Sequence, residues 1–284
     1  MQDQVPDGSG ASRLPQALST VALAAAAAVL LFTGLRGCSE PDGGSAAVLP
    51  AVSPQFVSAQ EFAKLTPATT FTTVPAASPD PDPFTVTGGL VMHPETTLVV
   101  YAAPGGKPIA VLPTTELGDP TWVPVVQGTP GWVRVLLPSR PDRGTGWIYT
   151  DGSAAAEIVT RTTPYLIKIE VGARKLSVDD NGASMGTWTV AVGAPKTPTP
   201  TGRTFLLALL APPHPTYSPL ILPLGTHSNV LSTFGGGPGT VGLHGWPDPS
   251  VFGEAVSNGC VRVPATALKL LSHIPLGTLV MITS

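Results

Sequence analysis

Apolar residues in the C-terminal half of the chain fall in short runs with the two-residue period of β-strands. Tyr165, Ile167 and Ile169 alternate with positions that include Lys168 and Glu170, which predicts a half-buried strand. Residues 175–178 and 187–192 flank an Asn-Gly pair at 181–182 that favours a hairpin turn. Further strands are predicted at 205–210, 241–244 and 279–282, and one helix at about 264–273. This half, residues 162–284, is predicted to be a β-rich unit.

A second group of short apolar runs lies upstream. The predicted strands are residues 98–101, 109–112, 122–126, 132–137 and 146–149, separated by Gly- and Pro-containing turns. Short strands at such spacing predict a small barrel at 84–158. The positions of Tyr101, Trp132 and Trp147 resemble those of bacterial SH3-like domains. Together with Trp122, these tryptophans either fill the core or form a ligand platform. The expected fold is thus mainly β: a small SH3-like barrel, a second β-rich unit and one or two short helices.

The N-terminal segment is uncharged and apolar from residue 17 to 35 and ends in Leu35-Arg36-Gly37-Cys38. This ending resembles the lipobox of bacterial lipoproteins, in which the cysteine is acylated. Residues 1–38 are therefore a lipoprotein leader modified at Cys38, an uncleaved membrane anchor, or a cleaved signal. Each alternative places the rest of the chain outside the cytoplasm, in the cell envelope, and a lipid or helical anchor would hold it at the outer face of the cytoplasmic membrane. Residues 39–83, with eight prolines, are predicted to be a linker.

Composition and charge exclude several classes of function. Only 12% of the residues are charged, the net charge is −3, and no Lys/Arg cluster exists, so no nucleic-acid partner is expected. Two cysteines are too few for a disulfide framework. No His/Cys/Asp/Glu group has the spacing of metal ligands, and neither a metal nor a cofactor is expected.

Residues 257–262 read Ser-Asn-Gly-Cys-Val-Arg, and His244 stands sixteen positions before Cys260. A thiol becomes a strong nucleophile only as thiolate, and an imidazole is a suitable base. Gly259 removes side-chain bulk next to the sulfur, so that backbone N–H groups can stabilise an oxyanion. The alternative for an isolated pair is a buried apolar cysteine and a surface histidine.

The flanking residues favour the catalytic interpretation. His244-Gly245 followed by Ser257–Arg262 resembles the signature of the YkuD-type L,D-transpeptidase family. Residues 192–205, with Thr-Pro-Thr-Gly at 199–202, and the closing residues 275–282 are similar to two further blocks of that family. The resemblance covers residues 162–284 and implies a YkuD-type β-sandwich-like catalytic domain.

The resemblance also implies roles for single residues. Cys260 matches the nucleophile that attacks the bond between the third stem-peptide residue and D-Ala of peptidoglycan, and His244 matches the general base. Backbone oxyanion donors are implied at Asn258, Gly259 and Cys260. Arg262 is implied to hold the motif or the substrate. An amine from a neighbouring stem would then form a 3→3 cross-link.

Besides Asn258, four residues are secondary candidates. Many family members have His where this chain has Asn258, so a two-histidine mechanism is not expected, and Ser257 is expected to support the loop. Gly245, His227 and Phe234 are candidate substrate-binding residues near the site.

Three functions remain open from the sequence. The first is transpeptidation between donor and acceptor stem peptides. The second is L,D-carboxypeptidase or hydrolase activity of the same Cys–His pair, with water as acceptor. The third is a non-catalytic wall-binding protein.

Overall fold

The computed structural model describes residues 52–234 and 237–284. The predicted leader, its candidate lipidation site Cys38 and the first part of the predicted linker lie outside these residues. Within the described ranges, no helix has the length and apolarity needed to cross a membrane. Residues from 52 onward belong to one compact unit.

The N-terminal part of this unit is built from short antiparallel strands. Its elements are α1 (Ala59–Phe62), β1 (Ser78–Pro79), β2 (Leu90–Pro94), β3 (Leu98–Tyr101), β4 (Pro108–Leu112), β5 (Thr115–Glu116), β6 (Asp119–Pro120), β7 (Val123–Thr129), β8 (Trp132–Leu136), β9 (Gly144–Tyr149), a 3₁₀ helix (Gly152–Glu157) and β10 (Ile158–Thr162). The sheet order is β10-β2-β7-β8-β9-β3-β4, with β1 on β9 and a separate β5–β6 hairpin. The five predicted strands correspond to β3, β4, β7, β8 and β9, while the likeness to SH3 domains stays a prediction.

The C-terminal part contains two main sheets and a short helix. Its elements are β11 (Tyr165–Glu170), β12 (Lys175–Asp180), β13 (Ala183–Thr189), β14 (Val192–Gly193), β15 (Gly202–Phe205), β16 (Ile221–His227), β17 (Thr240–His244), a 3₁₀ helix (Pro249–Val251), β18 (Ala255–Ser257), β19 (Val261–Arg262), α2 (Ala265–Leu271) and β20 (Leu279–Thr283). One sheet has the order β13-β12-β11-β20-β15, the other β16-β17-β19, and β14 pairs with β18. The expectation of a mainly β protein with short helices is confirmed.

The core between the sheets of the C-terminal part is aliphatic. Ile167, Ile169, Leu243 and Val261 are fully buried in it, and α2 contributes Leu271. The alternation seen in the sequence of β11 thus marks the side that packs inward. This packing fixes β17 and β19, the two strands next to the candidate catalytic residues.

The two predicted domains are in contact through a shared core. Strand β10 ends at Thr162 and pairs with β2, so it belongs to the N-terminal part. A second core joins Met92 and Val135 of the N-terminal part to Phe205, Leu207 and Met281 of the C-terminal part. The N-terminal part therefore packs on the back of the C-terminal sheet, and the division into a domain at 84–158 and a domain at 162–284 stays a prediction.

The linker prediction is also wrong for its described residues, 52–83. Ala68, Val74 and Ala77 are buried in the core that the two parts share. Strand β1 pairs with β9, and Asp80 forms an ion pair of 2.6 Å with Arg203 in which both side chains are buried. Beyond the one-turn helix α1, the prolines disfavour a longer helix or a central strand here, but they do not prevent packing as an extended segment.

Candidate active site

Strand β17 presents alternate residues to two different environments. Val241 and Leu243 are buried in the C-terminal core, whereas Thr240, Gly242 and His244 line a cavity. This is the two-residue period of a strand with one face on the core. The candidate base therefore points away from the core and into the cavity.

Strand β19 brings the cysteine beside this histidine. It runs parallel to β17, with Leu243 opposite Val261 and His244 opposite Arg262. Cys260 immediately precedes β19 and is in contact with the backbone of Gly242. Residues two apart on a strand share a face, so Cys260, Arg262 and His244 all face the same cavity, which they line together. The structure thus brings together the two residues that the sequence singled out for chemistry.

The imidazole of His244 has a defined orientation. Its Nδ1 lies 2.7 Å from the carbonyl oxygen of Gly245. A carbonyl oxygen can only accept, so Nδ1 carries the proton, and in the neutral ring Nε2 keeps its lone pair. Burial lowers the pKa of His244, and the positive charge of Arg262 acts in the same direction, while the hydrogen bond to Gly245 opposes them. The ring is therefore neutral, and able to accept a proton, at neutral pH.

The thiol of Cys260 is protonated in the resting site. Burial raises its pKa, although a backbone hydrogen bond from Gly242 and the charge of Arg262 both act to lower it. Since both shifts favour the neutral forms, the resting pair is thiol and imidazole rather than thiolate and imidazolium. The arrangement can generate a thiolate when His244 removes the proton during attack.

Ser257 holds the loop that carries the cysteine. Its hydroxyl donates to the carbonyl oxygen of Cys260 and accepts from the amide of Gly259 at 3.1 Å. Gly259 has φ +114°, a conformation that glycine adopts without strain. Ser257 is almost fully buried, and its geometry is that of a loop support.

The amide of Gly259 differs from what the resemblance implied. Because it donates to Ser257, it is not an open oxyanion donor. The amides of Asn258 and Cys260 have no hydrogen-bond partner among the described residues. An oxyanion beside the sulfur would therefore rely on those two groups, while Gly259 serves the turn itself.

The Thr-rich segment before β15 supports the same loop from behind. The hydroxyl of Thr199 donates to the carbonyl oxygen of Gly259 at 2.9 Å and accepts from the amide of Gly193, also at 2.9 Å. The hydroxyl of Thr197 donates to the carbonyl oxygen of Ser257 at 2.9 Å. A side chain at Gly193 would clash with the backbone at 197–199. The second sequence block is thus physically connected to the cysteine loop.

The cavity over Cys260 has a volume of about 430 Å³, within the usual range of ligand pockets. Among its described lining residues, none is acidic and Arg262 is the only cation. Asn258 is exposed at its edge, and Phe234, 49% exposed, also lines it. The site suits an uncharged or anionic substrate with apolar surface.

Two aromatic residues near His244 were not identified from the sequence. The rings of Tyr217 and His244 meet edge to face with centroids 4.9 Å apart, and the guanidinium of Arg262 stacks on Trp246 at 3.5 Å. Trp246 stands two positions after His244, a spacing that could have indicated a shared side. Tyr217 lies in a Pro-rich stretch with no regular pattern. The stacking on Trp246 keeps the charge of Arg262 beside the cysteine.

His227 and Gly245 do not lie where a substrate-binding residue would. His227 is completely buried; its Nδ1 lies 3.0 Å from a carboxylate oxygen of Asp142, and its Nε2 lies 2.9 Å from the carbonyl oxygen of Thr70. Gly245 lines a neighbouring groove and acts through its carbonyl oxygen, which orients His244. The substrate-binding prediction for His227 is wrong, because the N-terminal segment covers this histidine.

Metal ligation finds no support in the described part of the chain. There, no group of three or more His, Cys, Asp or Glu side chains could hold an ion.

Comparison with known proteins adds independent information on the C-terminal part. A family model described as the YkuD L,D-transpeptidase catalytic domain matches residues 164–282. A putative L,D-transpeptidase, YkuD, of Bacillus subtilis (strain 168) is 32% identical over 122 residues, which is 43% of this chain and 67% of that protein. The putative L,D-transpeptidase YkuD of Bacillus licheniformis is 33% identical over 123 residues, with the same two coverages, 43% and 67%.

A solved structure of an L,D-transpeptidase from Mycobacterium tuberculosis is similar to 51% of this chain and 74% of its own, with a TM-score of 0.38 and 14% identity.

Proposed function

Because the chain belongs to the YkuD family of L,D-transpeptidase catalytic domains, we propose that it forms 3→3 cross-links in peptidoglycan through a cysteinyl thioester, with release of D-Ala. Cys260 is the nucleophile and His244 the general base. Donor and acceptor stem peptides are the substrates.

One observation carries the proposal. His244 ends β17, Cys260 immediately precedes the adjacent parallel strand β19, and both side chains line one cavity. The hydrogen bond from Nδ1 to Gly245 leaves Nε2 as the proton acceptor, as in other thiol–imidazole sites in which a third group orients the base.

In the acylation step, Nε2 of His244 removes the proton from Sγ of Cys260 as the sulfur attacks the carbonyl carbon of the third stem residue. The resulting oxyanion is stabilised by the Cys260 amide, to which the Asn258 amide adds. The C–N bond to D-Ala then breaks, and the imidazolium returns its proton to the leaving amine. The product is a thioester on Cys260, and His244 is neutral again.

In the transfer step, the side-chain amine of an acceptor stem attacks the thioester. His244 removes a proton from that amine, and the sulfur leaves and recovers a proton from the imidazolium. A new amide bond replaces the thioester, so the energy of the broken peptide bond is kept and no nucleotide is needed. The apolar lining favours transfer because it restricts water near the thioester.

We also propose a location at the outer face of the cytoplasmic membrane, with residues 1–38 as leader or anchor. Donor and acceptor stems lie outside the cytoplasm, which fits an exported enzyme. The apolar run at residues 17–35 and Cys38 support this part of the proposal. Membrane fractionation of the chain and its Cys38→Ala variant, followed by mass spectrometry of residue 38, distinguishes lipid attachment from a helical anchor.

The reaction is tested with full-length protein and tetrapeptide stems, with products identified by mass spectrometry. We expect D-Ala and a 3→3 linked dimer from the native chain, and neither product from Cys260→Ala. Formation of tripeptide monomer without dimer would show that the protein hydrolyses the stem and does not transfer it. Failure of a carbapenem to add mass at Cys260, together with no D-Ala release, would leave only a non-catalytic role.

A further inference from the structure

The cavity over Cys260 is not built by the catalytic part alone. Among its lining residues are Thr70 and Phe71, which precede the barrel, and Leu117 at the tip of the β5–β6 hairpin. Segments outside the family-matched residues 164–282 therefore form one side of the cavity. We infer that Phe71 and Leu117 form an apolar wall that contacts the stem peptide and sets substrate specificity; this rests on the function proposed above.

The backbone that carries Phe71 is firmly fixed. The amide of Thr70 donates to a carboxylate oxygen of Glu116 at 3.1 Å, and its carbonyl oxygen and hydroxyl lie 2.9 and 3.0 Å from Nε2 of His227. The same hydroxyl lies 2.5 Å from that of Thr240 on β17. Thr70 is 1% exposed, so this network holds the segment against the strand that also carries His244.

The neighbouring side chain of Phe71 is nevertheless 63% exposed. It adds little to the core, and it stands at the edge of the cavity on a rigid backbone. An aromatic side chain in this setting offers apolar contact at low entropic cost, because few of its bonds must be ordered on binding. This placement suits a substrate contact better than a stabilising one.

Leu117 provides a second, independent indication. It forms a two-residue turn with Gly118, in which both residues have positive φ, +54° and +92°. Such turns favour Asn or Asp followed by Gly, and a leucine with this φ is strained. Strain that is kept at the edge of a catalytic cavity points to function. In place of a turn-forming residue, the chain keeps an apolar one that lines the cavity.

The chemistry of the wall defines what it can bind. Phe71 and Leu117 carry no charge and no side-chain hydrogen-bonding group. They therefore suit the aliphatic parts of a stem peptide, namely the alanine methyl groups and the methylene chain of the third residue. Arg262, beside Cys260, is left to attract a carboxylate.

The test uses full-length chain with Cys260→Ala as the parent, so that binding is measured without turnover. Phe71→Ala and Leu117→Asn are compared with Phe84→Ala, a control that is 55% exposed and does not line the cavity. Calorimetry with a tetrapeptide stem gives Kd. We expect Kd to rise about tenfold for each wall variant, as for the loss of a few methylene contacts, and to stay unchanged for Phe84→Ala.

The Tm of Leu117→Asn separates a role of Leu117 in binding from a purely structural role. Asparagine accepts a positive φ, but Leu117 also packs against the edge of the shared core. Because the relief of strain and the lost packing oppose each other, we expect the Tm of this variant to stay near that of the parent while binding weakens. Iodoacetamide should alkylate Cys260 at an unchanged rate in both wall variants that retain the thiol. Should Leu117→Asn lose stability, Phe71→Ala decides alone, because its side chain is largely exposed.

Three results would contradict the proposed role of the wall. They are an unchanged Kd in both wall variants, an equal loss of affinity in the control variant, and no binding of the stem to the parent. Release of D-Ala by chains with intact Cys260 is scored separately. Release of D-Ala without a difference in Kd would contradict only the role of the wall. A difference in Kd without release of D-Ala would contradict only the proposed reaction.

Discussion

At the scale of single residues, the site combines two groups whose pKa values are shifted toward the neutral forms. Burial lowers the pKa of His244 and raises that of Cys260. An ion pair would need no base during attack, whereas this pair needs proton transfer at that moment. Arg262 is the exception to the apolar surroundings, and its charge lowers both pKa values.

The first prediction concerns the pH dependence of the reaction. His244 must be neutral to act as base, so activity appears as pH rises through its pKa. Because that pKa is lowered, the acid limb of kcat/KM should lie below the ordinary histidine value of about 6.5. Steady-state kinetics from pH 4 to 8 measure the pH at which this acid limb lies.

Arg262→Gln provides the matched perturbation for this limb. Removing the positive charge should raise the pKa of His244 and move the acid limb to higher pH. Lys269→Gln on α2 removes a charge outside the cavity and should not move it. A native limb at or above the ordinary histidine value would contradict the lowered pKa.

Asn258 gives a second prediction at this scale. Its side chain is exposed at the cavity and makes no hydrogen bond to the described residues. We expect Asn258→Ala to reduce kcat/KM only modestly, by less than about tenfold, since it removes neither the nucleophile nor the base. D-Ala release beside that of Cys260→Ala measures the difference, and equal inactivation of both would show that the amide takes part in catalysis.

At the scale of elements, the loop that carries Cys260 depends on supports that are distant in sequence. Thr199 and Gly193 hold the carbonyl side of the loop, and Ser257 holds its inner side. The loop between β18 and β19 has few backbone bonds of its own. Its conformation is therefore set by these side-chain hydroxyl groups.

Thr199→Val tests this dependence. Valine keeps the shape of threonine but leaves a buried amide and a buried carbonyl unpaired, which should lower the free energy of unfolding by about 1–3 kcal/mol or more. kcat should fall as well, since the loop that positions Cys260 loosens. Denaturant unfolding and kinetics measure both effects.

Thr201→Val is the matched control for this change. The Thr201 side chain is half-buried and makes no hydrogen bond to the described residues, so neither stability nor kcat should change greatly. A similar loss in both variants would mean that the methyl–hydroxyl exchange alone, and not the support of the loop, is responsible.

The sequence predicted what depends on local pattern and failed where distant segments meet. The alternation at Tyr165–Glu170 predicted β11, and Cys260 and His244 were recognisable from their flanking residues. The packing of Ala68 and Val74 was not predictable, because a Pro-rich segment has no period that shows what it will cover. The burial of His227 follows from its contact with Thr70, 157 residues away, for the same reason.

At the scale of the whole molecule, the N-terminal part is a structural component of the candidate active site. The shared core and the segment at residues 66–74 join it to β17, so motion of the N-terminal part relative to β17 would change the cavity. Arg140, in the loop between β8 and β9, strengthens this connection. Its guanidinium donates to the carbonyl oxygens of Ser228 and Pro238, which flank Phe234 in the sequence. The shape of the cavity and the stability of the fold therefore depend on the same contacts.

The last prediction tests this connection through the buried ion pair of Asp80 and Arg203. The guanidinium donates two hydrogen bonds of 2.6 Å to the carboxylate and a third, of 2.8 Å, to the carbonyl oxygen of Thr85. Asp80→Ala would leave the Arg203 charge buried without its partner, which should cost about 3–5 kcal/mol. Because the two parts share a core, we expect calorimetry to show one transition that moves as a whole to lower temperature.

Asp82→Ala, which changes an exposed carboxylate two residues away, should leave Tm nearly unchanged. Two separate transitions, of which only one responds to Asp80→Ala, would show that barrel and catalytic part unfold independently.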